Sequence, residues 1–160
     1  MVGKTTDPKI IVRLAKDGEE IELLDGNVLK CTNDDILITS NNVPVGLAGA
    51  MGGANTMIDE NTKNVLLESA TFSLYNLRKT QMAHGIFSEA ITRFTKGVPA
   101  SGTFNVLAEA IEEMNGKPID LNDVWPSYDM PSAIEISIDE INGLLGTQYD
   151  EALIMKTLEN

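Results

Sequence analysis

This chain is poor in several residue types, and each shortage closes off chemistry. It has one cysteine, Cys31, in 160 residues. A single thiol excludes an intrachain disulfide framework and a zinc site built from several cysteines. Cys31 reads instead as a small strand residue. There is also one histidine, His84, so no Ser–His–Asp arrangement is legible. His84 falls at an expected helix end, where a polar or cationic group suits the helix dipole. The signals for EF-hand and dinucleotide sites are absent. The longest apolar runs are far shorter than a membrane span, and no signal-peptide pattern opens the chain.

Basic residues are scarce too. Lys and Arg number 12 against 24 Asp and Glu, a formal net charge of −12. The imbalance sits mostly in the last 60 residues, which hold 2 basic and 12 acidic side chains, whereas residues 1–100 hold 10 and 12. A broad basic face for nucleic acid is therefore not expected, because phosphate neutralisation dominates such affinity. One stretch differs. Between Phe72 and Gly97, Arg78, Lys79, Arg93 and Lys96 stand against one acid, Glu89. That cluster fits a solvated basic patch or contact with one end of an RNA.

What the sequence does contain is ordinary globular material, 42% apolar and 22% charged, enough for one core plus part of a second. Residues 1–8 read as a frayed start or the end of an expressed piece. Ile10–Leu14 alternates and is β-branched, a strand pattern. Glu20–Leu24, the turn Asp25-Gly26-Asn27 and Val28–Cys31 form a hairpin signature. Asp35–Thr39 and Val43–Ala48 flank the turn Ser40-Asn41-Asn42. Val65–Thr71 is the most apolar expected strand.

The period then changes. Ser73 is placed to cap a helix with Leu74, Leu77 and Met82 on one face, ending near Gly85. Ser88–Thr95 is a short second helix. Ser101 is expected to cap a third, with Phe104, Leu107, Ala108, Ile111 and Met114 at helical spacing, closed by Asn115-Gly116. Lys117–Pro131 carries three prolines and reads as a linker. Ile134–Ile138 alternates as a strand, Asp139–Leu145 is a helix stopped by Gly146, and Asp150–Leu158 is another. Strands first and helices after point to a layered α+β fold with a boundary near residues 126–132.

Two features invite a functional reading. Gly46, Gly49, Gly52 and Gly53 cluster at a strand end, which suits a tight turn or a pocket wall whose amides meet a ligand. Glu68 lies inside the apolar run Val65–Ala70, where a carboxylate is costly unless something satisfies it.

The ordered blocks GLAGAMGG (Gly46–Gly53), NVLLESATF (Asn64–Phe72) and SEAITRFTKG (Ser88–Gly97) resemble the B3/B4 domain of the bacterial phenylalanine–tRNA ligase beta subunit. Ile134–Asn160 is similar to the start of the next domain of that subunit, B5. The resemblance covers residues 9–160. It implies residues 9–126 as a B3/B4-like domain lacking its N-terminal part, and 127–160 as a linker and the beginning of a B5-like domain. It further implies hydrolytic editing of tyrosyl-tRNA(Phe), with Glu68 accepting a hydrogen bond from the tyrosine hydroxyl and Ser88, Ala90 and Gly52 lining the pocket. Ser88 stands where the family commonly has Thr, Ile91 where it often has Ser, and Thr95 where it often has Glu.

By the same resemblance, the pocket's upstream His and polar groups precede the point matching Lys9, and the B5 metal-binding carboxylates fall after Asn160. No catalytic residue and no metal ligand is therefore assigned here, and no cofactor is expected in this piece. The intact enzyme would use ATP and Mg²⁺, pair with an alpha subunit as an α2β2 heterotetramer, bind tRNA(Phe) but not DNA or membrane, and reside in the cytoplasm. The alternatives are an RNA- or protein-docking module and a structural spacer.

Overall fold

A computed structural model describes residues 9–124 and 132–159. The expected frayed start, residues 1–8, and the part of the linker holding Pro126 and Pro131 lie outside the described residues. The chain divides into two compact units, residues 1–119 and 120–160.

The first unit is built on a four-stranded antiparallel sheet. Its strands are β1 (Ile10–Leu14), β4 (Ile36–Ser40), β5 (Val43–Leu47) and β6 (Met51–Gly52), in the spatial order β1-β4-β5-β6. Asn41 and Asn42 turn β4 into β5 with φ of 50° and 67°, the left-handed pair that a two-residue hairpin loop requires. The β4–β5 register slips after Ile38, pairing Ile38 with Gly46 but Thr39 with Pro44, and so passes over Val45. Pro44 has no N–H to offer a ladder, which suits an irregular position. The Val45 carbonyl released there accepts from Gly53 N at 2.8 Å and Thr56 Oγ1 at 3.2 Å.

Two further strands, β2 (Glu20–Glu22) and β3 (Val28–Lys30), form the expected hairpin, with Glu22 opposite Val28. At its tip Asp25 Oδ1 accepts from Asn27 N at 3.0 Å and Gly26 takes φ +83°, an Asx turn closed by glycine. The hairpin is joined to β6 by Leu24 N donating to Gly52 O at 3.0 Å.

Helix α1 (Leu74–His84) starts at Ser73, whose hydroxyl accepts from Asn76 N, and ends at Gly85 in the left-handed conformation. Its inward face is Leu77, Thr80 and Gln81. Leu74 and Met82 of the expected stripe are exposed, because the polar residues at this spacing have buried partners. Helix α2 (Glu89–Phe94) is capped by Ser88. Helix α3 (Thr103–Glu113) follows a 3-10 turn, Ala100–Gly102. Ser101 therefore sits inside that turn, and the capping position falls to Gly102 without a side-chain bond. The core joins Leu23 and Leu29 from the hairpin, Leu37 and Leu47 from the sheet, Leu77 from α1 and Ile91 from α2. Each fully buried aliphatic side chain contributes roughly 1.5–3 kcal/mol.

Val65–Thr71 is not a strand. The segment has no regular secondary structure and no ladder partner among the described residues, and Val65 and Leu66 are exposed. β propensity alone does not make a strand; the backbone needs a neighbour to bond.

In the second unit, Ile134–Ile138 is likewise not a strand: it has no ladder partner among the described residues, and Ile138 opens helix α4 (Ile138–Leu145). Ser137 and Glu140 form a reciprocal capping box at its start, and Gly146 ends it at φ +67°. Asp150 caps helix α5 (Glu151–Leu158). Asn142 fixes the connection, accepting from Tyr149 N at 2.8 Å and donating to Tyr149 O at 2.9 Å.

Candidate functional site

The turn between α1 and α2 carries two of the expected pocket residues. Ser88 Oγ accepts from Ile91 N at 3.2 Å and donates to Ala50 O at 2.8 Å. The hydroxyl thus caps α2 and fastens it to the end of β5. Ile91, three residues on, is fully buried. Ala90 lies exposed on the first turn of α2. Gly52 faces Gly46 in the ladder, and a Cβ there would meet Leu24 Cδ1 at 3.2 Å.

A cavity of about 510 Å³ opens between the β2–β3 hairpin and the α1–α2 turn. Its floor is Leu23, Leu29, Met51 and Ile86, and its rim holds Asp25, Asn27, His84, Phe87 and Ser88. Asn27 bonds hold the Asp25 carboxyl below the usual carboxylate range, so the rim carries a standing negative charge. Ser88 lies on this cavity; Glu68, Ala90 and Gly52 are not among its lining residues.

Glu68 belongs to the irregular segment before α1. Its neighbours anchor that segment: Ser69 Oγ donates to Thr103 O at 2.8 Å, and the Phe72 ring packs 5.6 Å from Phe94. Glu68 itself makes no hydrogen bond or ion pair among the described residues. Glu68 is an exposed residue, and partial desolvation by the protein around its carboxyl shifts its pKa above the ordinary value.

The four basic residues split into two pairs. On α1, Arg78 Nη1 donates to Gln81 Oε1 at 3.3 Å and Lys79 Nζ lies 2.8 Å from Asp34 Oδ1. Arg93 and Lys96 line an open cavity of about 640 Å³ at the end of α2, where Arg93 pairs with Glu89 at 2.8 Å. These pairs are exposed and contribute little to stability.

The most deeply buried polar cluster lies outside the expected site residues. Asp35 is fully buried. Its Oδ1 accepts from Thr80 Oγ1 at 2.6 Å. Its Oδ2 accepts from Thr32 N at 2.7 Å, Thr32 Oγ1 at 3.1 Å and His84 Nε2 at 2.8 Å. Burial alone would raise the Asp35 pKa, but the bonds from Thr80, Thr32 and His84 together outweigh it and hold the carboxyl below the usual range. His84 does end α1 as expected, but its partner is this carboxylate. A legible signal was the spacing Leu77, Thr80/Gln81, His84, which is one helix face with polar members. Cys31, beside Asp35, is buried, and burial pushes its thiol up to about 11, so it stays protonated and unreactive.

An antiparallel sheet with helices packed on it defines an α+β domain. The B3/4 domain family matches residues 3–116, and the chain belongs to that family. It is 35% identical over 164 residues to the phenylalanine–tRNA ligase beta subunit of Carboxydothermus hydrogenoformans, covering 99% of this chain and 21% of that protein. It is 36% identical over 156 residues to the same subunit of Latilactobacillus sakei, covering 94% of this chain and 19% of that protein. The subunit of Streptococcus thermophilus is 38% identical over 152 residues, with 92% and 19% covered. The chain spans about a fifth of the length of these relatives. Among the described residues, no helix is long and apolar enough to cross a membrane, and no three His, Cys, Asp or Glu side chains are placed to hold a metal ion.

Proposed function

We propose that this chain is the B3/B4 part of a phenylalanine–tRNA ligase beta subunit, joined to the start of B5, and that it contributes to hydrolysis of tyrosine wrongly esterified to tRNA(Phe). The observation that carries the reading is Glu68, an exposed carboxylate with no donor among the described residues and a pKa raised by its surroundings. Phenylalanine and tyrosine differ by one phenolic O–H. A carboxylate acceptor there can pair with the tyrosyl hydroxyl and finds no donor on the phenylalanyl ring. A synthetic site that must admit phenylalanine cannot reject tyrosine as firmly, so a second pocket that requires the hydroxyl sorts what the first lets through. Ala90 leaves room for a ring, and Gly52 keeps a strand edge free of a side chain.

In this reading the partners are an alpha subunit in an α2β2 assembly and tRNA(Phe), with Arg93 and Lys96 the better-placed pair for RNA phosphate and Arg78 and Lys79 a second. The location is the cytoplasm. ATP and Mg²⁺ serve the intact enzyme; the described residues offer no set of side chains to hold the metal, and no step here runs through either. A second reading, a docking module or spacer, draws on the Ser88 hydroxyl, which is spent on capping and on Ala50 O.

The test is deacylation of tyrosyl-tRNA(Phe) and phenylalanyl-tRNA(Phe) by the intact enzyme with and without Glu68→Ala. Loss of tyrosyl selectivity supports the editing reading. Unchanged selectivity removes Glu68 from the site and leaves the docking or spacer account.

A further inference from the structure

We propose that the outer face of α1, formed by Tyr75, Arg78 and Met82, is a stacking surface for single-stranded RNA and carries the unpaired end of the tRNA whose ester is hydrolysed. The inference rests on the editing reading above and extends its RNA contact from phosphate to base.

The helix period sets the face. Leu77, Thr80 and Gln81 are buried. Tyr75, Arg78 and Met82, at i, i+3 and i+7, therefore line the solvent side. Tyr75 is 76% exposed and Met82 68%, and Arg78 is exposed with them. The core uses neither Tyr75 nor Met82. The three side chains cover about 10 Å of helix axis, room for roughly three stacked nucleotides.

Charge favours a nucleic acid over a protein on this face. The chain has 24 acidic side chains against 12 basic, yet residues 69–88 hold no Asp or Glu. Arg78 makes no ion pair among the described residues; its Nη1 donates to Gln81 Oε1 at 3.3 Å. On the solvent side Asp34 meets the helix, and Lys79 neutralises it at 2.8 Å. What is left is an uncommitted guanidinium between an exposed ring and an exposed thioether. Every base offers a π face to such a ring, whatever its identity. The guanidinium pairs with phosphate and also stacks on bases. Helical RNA keeps its bases stacked on one another, so the partner is an unpaired strand.

The face is also close to the expected tyrosyl pocket. Tyr75 is seven residues from Glu68, within about 25 Å along the chain. Leu77 and Ile91 share one core, which packs α1 against the helix that carries Ala90. An amino acid esterified to the terminal ribose keeps the neighbouring nucleotides within that reach.

The test uses the assembled enzyme with its full-length beta subunit. A benzoylphenylalanine in place of Tyr75 is irradiated in the presence of tRNA(Phe), and the crosslinked partner is mapped. The expected product is a crosslink to the unpaired 3′-terminal nucleotides. A crosslink to a protein subunit or to a helical part of the tRNA, or none at all, overturns the proposal. Tyr75→Ala and Arg78→Gln are measured alongside in deacylation of tyrosyl-tRNA(Phe). Tyr75→Ala is expected to raise KM about fivefold or more with kcat kept. Arg78→Gln is expected to raise KM and to lower the slope of its salt dependence by about 1. KM values equal to the parent's for both variants overturn the proposal as well. If the parent itself leaves tyrosyl-tRNA(Phe) intact, the editing reading falls, and the crosslink still decides whether α1 carries RNA.

Discussion

His84 Nε2 lies 2.8 Å from Asp35 Oδ2, joining residues 49 positions apart. The bond ties the last turn of α1 to the turn before β4, and with it the start of the loop that carries Ser88. Asp35 accepts from Thr80, Thr32 and His84 together, so its loss strands several donors in the interior. Asp35→Ala is expected to lower the unfolding free energy by about 3 kcal/mol, read from urea denaturation. Asp35→Asn keeps volume and one acceptor and is expected to cost less.

The acid limb of stability follows from two depressed carboxylates. The Arg13 guanidinium bonds Glu19 at 2.6 Å and holds its pKa at about 2, with burial opposing, against roughly 4.3 in an unfolded chain. Asp35 is lowered as well. A carboxylate with a depressed folded pKa stabilises fully above its unfolded value and loses that contribution as pH falls through the folded one. Stability is therefore expected to decline from about pH 5 towards pH 2. Arg13→Ala is expected to make that decline shallower. Urea midpoints at pH 7 and pH 3 for both proteins check it.

Gly49 and Gly52 separate a backbone requirement from an open edge. Gly49 has φ +62°, and a Cβ there would meet Leu77 Cδ1 at 2.9 Å and Phe94 Cδ2 at 3.2 Å. Gly49→Ala is expected to cost about 1–3 kcal/mol through strain and overpacking. At Gly52 the neighbour is the movable end of Leu24, so Gly52→Ala is expected to cost under about 1 kcal/mol. Thermal denaturation of the two variants ranks them.

Ala90 is exposed on the first turn of α2, so a large side chain there meets no core. Ala90→Phe is expected to leave stability within about 0.5 kcal/mol. In the intact enzyme it is expected to reduce tyrosyl-tRNA(Phe) deacylation at least tenfold by filling the space for the ring. Melting curves and deacylation rates read the two effects separately.

The hairpins, their turns and most helix caps were legible because they are local. Asp25-Gly26-Asn27 and Asn41-Asn42 announce turns, and Ser73, Ser88 and Asp150 announce helix starts, through chemistry confined to a few neighbouring residues. Val65–Thr71 and Ile134–Ile138 misled for the complementary reason. Alternation and branching describe a segment fit for a ladder, whereas a strand also needs a backbone beside it. Asp35 was opaque because its meaning lies in Thr80 and His84, 45 and 49 residues away. Glu68 is conspicuous as a charge in an apolar run, whereas its lack of a donor among the described residues depends on neighbours that the local sequence does not specify.

The editing account is tested most directly by what accumulates on the tRNA. The intact enzyme, supplied with ATP, tyrosine and tRNA(Phe), is compared with its Glu68→Ala form, which removes the acceptor altogether. The account predicts no lasting tyrosyl-tRNA(Phe) with the parent and a steady build-up with the variant, while phenylalanine charging is equal in both. Equal, negligible tyrosyl-tRNA(Phe) in both would contradict it.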